Sequence, residues 1–141
     1  MVGDAPRWPR LLATLLGFLG VAAGAFGAHG LRNLVAPEQM SAWETAAEYQ
    51  LLHAIALLAL SAWQQTIQSP RLQFWLLLAS GLMVTGVLLF SGSLYLLVLT
   101  SISAFGPITP VGGIALLASW LILFGCAIVK GANVATLPPG S

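Results

Sequence analysis

The chain has 141 residues, of which 58% are hydrophobic and 6% charged; five Lys and Arg against four Asp and Glu leave a formal net charge of +1. Soluble domains carry about 25% charged residues, so this composition excludes an ordinary soluble fold, and so weak a field excludes nucleic acid as a partner. With a mean hydropathy of +0.92, the chain reads as an all-α integral membrane protein, and its length accommodates four transmembrane helices of about 20 residues each.

Residues 11–28 form the first uncharged run, 18 residues long and preceded by Arg7, Trp8 and Arg10. The basic start and the small residues Ala23-Gly24-Ala25 also resemble a cleavable signal. We read the run as a spanning helix. Gly20 and Gly24 form a small-xxx-small pair, and Gly17 and Gly27 extend a face on which a neighbouring backbone can settle closely. Gly30 suits the end of that helix and Pro37 the start of the next, with Glu38 placed where the helix dipole favours a negative charge.

Met40, Trp43 and Ala47, with Glu44 and Glu48 on another face, look like an amphipathic lead into the apolar residues 51–63, which predicts one long second helix with its span near 48–66. Trp43 and Trp63 lie twenty residues apart, about 30 Å, as an aromatic girdle requires. A polar turn over residues 64–71 returns the chain through residues 72–100, 29 residues without a charge. At about 43 Å this helix exceeds the hydrocarbon core, so beyond a span near 72–97 it must tilt, project or loosen at Ser91-Gly92-Ser93. Residues 101–110 form the next connection, and the glycines from Gly106 to Gly113 are expected in a tight turn; no Lys-Ser or Lys-Thr follows to make a phosphate loop. Residues 111–129 give the fourth span. The reading is one domain over residues 1–130 and a flexible tail over 131–141.

Four spans collect Arg7, Arg10, Arg71 and Lys130 on one side against Arg32 on the other, so both termini are expected in the cytoplasm. Trp8, Trp63 and Trp75 then fall near the inner face and Trp43 near the outer one. The same topology puts His29, Glu48, Tyr49, Gln50, His53, Ser91, Ser93, Tyr95 and Thr109 in the outer half. Polar side chains are costly against lipid, so these are expected to turn inward as one cluster. Tyr49 and His53 are i,i+4 neighbours and Gln50 and His53 are i,i+3, which lets the three share a face.

His29, His53 and Glu48 have the chemistry of a zinc or iron site, but neither H-E-x-x-H nor E-x-x-H occurs, and the expectation is no metal and no cofactor. Cys126 has no second thiol to pair with in the chain. Ser91, His53 and Glu48 supply the residue types of nucleophilic catalysis without a spacing that assembles them, so no enzyme is expected.

Gly27-Ala28-His29-Gly30-Leu31, then Trp43, Thr45-Ala46, Tyr49-Gln50 and His53-Ala54, then Phe90-Ser91-Gly92-Ser93-Leu94-Tyr95, and finally Gly106-Pro107-Ile108-Thr109-Pro110-Val111-Gly112-Gly113 resemble the signature blocks of family 423 of the domains of unknown function. These are YgdD-like small bacterial membrane proteins, similar in turn to animal transmembrane protein 256. The likeness covers roughly residues 10–130. It implies a compact four-helix protein of the bacterial inner membrane and no established activity. The expected role is a noncatalytic assembly or accessory component, in contact with membrane lipid and associated with itself or with a larger membrane complex. The alternative is a small transporter or proton-conducting protein working through Glu48 and His53.

Overall fold

The computed structural model describes the backbone of residues 6–135 and the side chains of residues 6–129. It consists of four long helices: α1 (Trp8–Phe26), continued by a π-helical turn (Gly27–Leu31), α2 (Pro37–Gln65), α3 (Pro70–Thr100) and α4 (Ile108–Ala135). Three of the four helices open on proline; at a first turn its missing N–H is no loss and its fixed φ suits the helix. The Gln39 side chain accepts the Ala36 backbone N–H at 3.1 Å. α3 ends where Ser101 turns left-handed, at φ 56. That strained residue is held by its own N–H on the Leu97 carbonyl, and Gln39 Nε2 reaches its hydroxyl at 3.3 Å from the start of α2.

The surface is apolar and several polar groups are buried, the inverse of a soluble domain. Phe18, Leu117 and Leu121 are 72%, 71% and 71% exposed, while Gln64, Ser80, Ser91 and Ser119 are 1% exposed or less. Such a distribution suits hydrocarbon as solvent. Three helical stretches are long and apolar enough to cross a bilayer: Trp8–Leu31, Pro70–Thr100 and Ser103–Val129. α2 is the exception in composition. Its 29 residues, about 43 Å, have the length, but Glu38, Glu44 and Glu48 occupy its first half and it buries Gln50, His53, Ser61 and Gln64.

α2 and α3 form the central pair, α1 lies against α2, and α4 lies against α3. No Cα of α1 approaches one of α4 within 8 Å, and the same holds for α2 and α4 among the described residues. Two lateral clefts result. One lies between α1 and α3 over α2; the other lies between α2 and α4 over α3. The central core is Leu57, Leu76, Ala79 and Met83, each fully buried, with Val87 and Leu116 beside them. A second cluster of Leu31, Met40, Trp43 and Val98 closes the end at which α1 meets the start of α2.

Small residues set the spacing of two helix pairs. Along α1, a Cβ on Gly20 would come 2.8 Å from Leu51 and one on Gly27 would come 2.6 Å from Trp43, so both hold α2 close. Gly17 stands at ordinary contact distance, 3.9 Å from the Cβ of Ala54, and Gly24 faces open space. The tightest approach is between α3 and α4, where a Cβ on Gly112 would strike the backbone of Phe90 and lie 2.9 Å from the Gly86 carbonyl oxygen. Gly112 and Gly113 belong to α4, within the span read over residues 111–129, and not to the tight turn also expected of Gly106 to Gly113; the turn is made by residues 101–107 with a short 3₁₀ segment at Ser103–Phe105. Pro110 suggested an unfinished loop, but proline is tolerated within the first turn of a helix. α3 runs unbroken through Gly92, so its excess length is not absorbed by a loss of helix there. α4 carries the helix to Ala135, into the stretch read as tail, and residues 136–141 lie outside the described residues.

Gly112→Ala is expected to cost about 1–3 kcal/mol, because the obstructing atoms are backbone and cannot rotate away. Gly24→Ala should be neutral or slightly stabilising, since helix propensity favours alanine by up to about 1 kcal/mol. Thermal or denaturant unfolding of the two variants in neutral detergent measures the contrast.

Candidate functional site

The outer polar residues do not form one cluster. They separate into three bridges, each joining different helices, and His29, Glu48 and Ser91 belong to none of them.

The first bridge is built on Gln50, which is 5% exposed. Its Nε2 donates to the Leu16 carbonyl of α1 at 2.9 Å, and its Oε1 accepts the Tyr95 hydroxyl of α3 at 2.9 Å. One amide thus ties three helices together. Leu16 can offer a carbonyl that is also part of the α1 ladder because a carbonyl oxygen has two lone pairs. Gly20, one turn later, lets Leu51 and the Gln50 stem come close enough to reach it. Trp43 reinforces the arrangement from the end of the bundle: its indole N–H donates to the Ala23 carbonyl at 2.8 Å, and its ring lies 4.6 Å from that of Tyr95.

The second bridge is built on His53, also 5% exposed. Nδ1 lies 2.7 Å from the Tyr49 carbonyl, and Nε2 lies 3.2 Å from the indole Nε1 of Trp120 on α4. A carbonyl can only accept and an indole N–H can only donate, so the two partners assign the proton to Nδ1 and the lone pair to Nε2. Both ring nitrogens are used. Tyr49 stacks on Phe90 of α3 at 4.5 Å between centroids, which fixes the wall beside the imidazole.

The third bridge is a pair of hydroxyls, Ser93 of α3 and Thr109 at the start of α4, 2.7 Å apart. Ser93 also lies 3.0 Å from the Phe90 carbonyl, which accepts its proton and leaves Thr109 as the donor between the two. Ser91 and Ser93 are both buried, at 1% and 3% exposed, so the helix directs both hydroxyls away from lipid. Ser91 Oγ has no hydrogen-bond partner among the described residues.

His29 is exposed on the π-helical turn and joins none of these bridges. Glu48 is exposed on the face of α2 that borders α4 and lines the α2–α4 cleft with Tyr49, His53, Phe90 and Trp120. Among the described residues no three of His, Cys, Asp and Glu gather in a group able to hold a metal. Glu48, His53 and Ser91 do not form a nucleophilic relay either, because both nitrogens of His53 are bonded elsewhere.

Three further bridges, and the Trp120 partner of His53, have no signal in the sequence. Trp120 stands in an apolar run with nothing beside it that suggests a hydrogen-bonding partner. Ser119 is fully buried and donates to the Ala79 carbonyl of α3 at 2.7 Å. At the other end of the bundle Gln64 Nε2 donates to Ser80 Oγ at 2.9 Å, and Gln73 Nε2 donates to the carbonyls of Gln64 and Ile67. Gln64 belongs to the polar turn expected over residues 64–71, and Gln73 to the third run. They close the α2–α3 connection from inside.

Apolar helices facing outward and polar side chains spent on helix-to-helix bonds define a multi-helix integral membrane protein. The model of the family described as "Protein of unknown function (DUF423)" matches residues 23–113. The chain is 40% identical over 114 residues to the UPF0382 membrane protein SAB0533 of Staphylococcus aureus, covering 80% of this chain and 88% of that protein. It is 38% identical over 129 residues to the UPF0382 inner membrane protein YgdD of Escherichia coli K12, covering 91% of this chain and 95% of that protein. The chain therefore belongs to the DUF423 family of membrane proteins, whose activity is not established. No solved structure matches it.

The Gln50 bridge gives a direct test. In a double-mutant cycle of Gln50→Leu and Tyr95→Phe, unfolding free energies should show a coupling of about 0.5–1.5 kcal/mol, in the range of hydrogen bonds inside membrane proteins. Gln50→Leu paired with Ser93→Ala, which belongs to a different bridge, should be additive within about 0.5 kcal/mol.

Proposed function

We propose that this protein is a noncatalytic assembly or accessory component of the bacterial inner membrane, crossing it four times with both termini in the cytoplasm. The observation that carries the reading is the apolar layer at the centre of the bundle. Leu57, Leu60 and Met83, 0%, 3% and 0% exposed, come between the outer bridges of Gln50 and His53 and the inner Gln64 and Ser80 pair along α2 and α3. A conducting path needs water or a chain of exchangeable protons through that layer. The residues on which conduction would depend are also otherwise occupied or displaced: His53 is bonded at both nitrogens, and Glu48 lies at the border of a cleft outside the bridges.

Association is supported by the way the helices are shared out. α1 and α4 flank the central pair without meeting each other, which leaves two lateral clefts and broad apolar faces. Such faces suit a second copy or the helices of a larger complex, packed by small residues and shape. The orientation rests on Arg7, Arg10, Arg71 and Lys130 on one side against Arg32 on the other.

Extraction from native membranes in mild detergent should yield the protein as an oligomer or with copurifying membrane proteins; a lone monomer would sink the assembly reading. Reconstituted liposomes carrying a pH gradient should hold it as empty liposomes do. A leak that disappears in Glu48→Gln would favour transport instead. Reporter fusions at each terminus should be active in the cytoplasm.

A further inference from the structure

We propose that the lateral cleft between α2 and α4 is a lipid site that selects an ammonium headgroup, with Glu48 as the counter-charge and Tyr49 and Trp120 as the aromatic walls. The cleft has a volume of about 670 Å³, within the range of small-molecule sites. Its margins are apolar and open to the bilayer: Leu52, Ile114 and Leu117 are 54%, 66% and 71% exposed. These give an acyl chain a continuous path along the protein.

The head end is chemically different from the margins. Glu48 is the one charged residue among those lining the cleft, which include neither Lys nor Arg. A carboxylate bordering hydrocarbon without a counter-ion is costly, and a cation supplied by the surrounding leaflet relieves that cost. An anionic headgroup at the same place would be repelled. Tyr49, next to Glu48 in the chain and 42% exposed, presents aromatic surface at the head end, and Trp120, 45% exposed, lines the cleft further along α4; aromatic surface attracts ammonium through its quadrupole. Both rings are held in advance. The Trp120 N–H is fixed on His53 Nε2, and Tyr49 is stacked on Phe90. Preorganised walls lower the ordering cost of binding. Pro110 and Gly113, from the first turns of α4, line its head end, and Leu116, Leu117 and Trp120 carry it on toward the middle of the helix.

The cleft between α1 and α3 supplies a contrast within the same molecule. It is smaller, about 260 Å³, and Gln50, Ser91 and Tyr95 give it polarity without a charged group. Nothing there selects a cation.

The site goes beyond the assembly reading and does not depend on it: loss of lipid selectivity would leave the oligomeric state unchanged, and a monomer could still select lipid. The test uses the full chain in nanodiscs holding phosphatidylethanolamine and phosphatidylglycerol with identical acyl chains, with retained lipid counted by native mass spectrometry. Phosphatidylethanolamine should be retained about tenfold over phosphatidylglycerol, and Glu48→Gln should erase that preference. Equal retention by the wild type, or a preference that survives Glu48→Gln, overturns the proposal. A second measurement locates the lipid. Phosphatidylethanolamine with brominated chains should quench a tryptophan component that is missing in Trp120→Phe; quenching unchanged by that substitution places the lipid elsewhere and overturns the site.

Discussion

The structure depends on a single constraint: a polar group that enters hydrocarbon must find its partner inside the protein, since no water is there to replace it. Gln50 meets that constraint by linking the Leu16 carbonyl to the Tyr95 hydroxyl, and in doing so it sets the positions of α1, α2 and α3 relative to one another. An apolar residue at the same point would leave the helices free to slide, because lipid tails are as apolar as leucine and supply no preference between helix faces. The geometry is specified by polar bonds at a few points and the spacing by small residues between them. His53 with Trp120 and Ser93 with Thr109 extend the same device to α4.

Where polar bonds do not decide the approach, backbone does. Gly112 lets α4 descend onto Phe90 and the Gly86 carbonyl, while Gly86 accommodates Leu116. Along this seam α4 is held by α3, while no Cα of α2 comes within 8 Å of one of α4 among the described residues. The large indole of Trp120 spans the gap that remains, and the α2–α4 cleft is the space on either side of it. The α3–α4 seam and the α2–α4 cleft lie on two sides of one helix.

Much of the outline was legible before any coordinates. Long uncharged runs, proline at helix starts and tryptophan near the ends read directly onto α1, α3 and the long α2, because length, composition and first-turn chemistry are local properties. The site was legible in part. Gln50, His53, Ser93, Tyr95 and Thr109 were singled out as inward-facing, and the structure gives each a bond. Their grouping was not legible, since i,i+4 spacing shows which residues share a face but not which helix that face meets. Tyr49 and His53 share a face as expected, their rings stacked 5.8 Å apart, while His53 bonds the backbone carbonyl of Tyr49 and the tyrosine ring also stacks on Phe90. Gly24 has the spacing of a packing residue and a Cβ there would meet nothing within 4 Å, whereas Gly112, which no packing pattern marked, makes the closest approach.

The sequence by itself determined the solvent: at 6% charge and 58% apolar residues, only a bilayer permits this chain to fold with its polar groups satisfied. It also determined the number of helices, which follows from hydropathy and local breakers. Only the tertiary structure decided how the polar residues divide into separate bridges, that both nitrogens of His53 are occupied, and that Glu48 stands beside an open cleft. Those outcomes depend on which helix faces which, and that is set by contacts between residues such as Gln50 and Tyr95, or His53 and Trp120, that lie far apart in the chain.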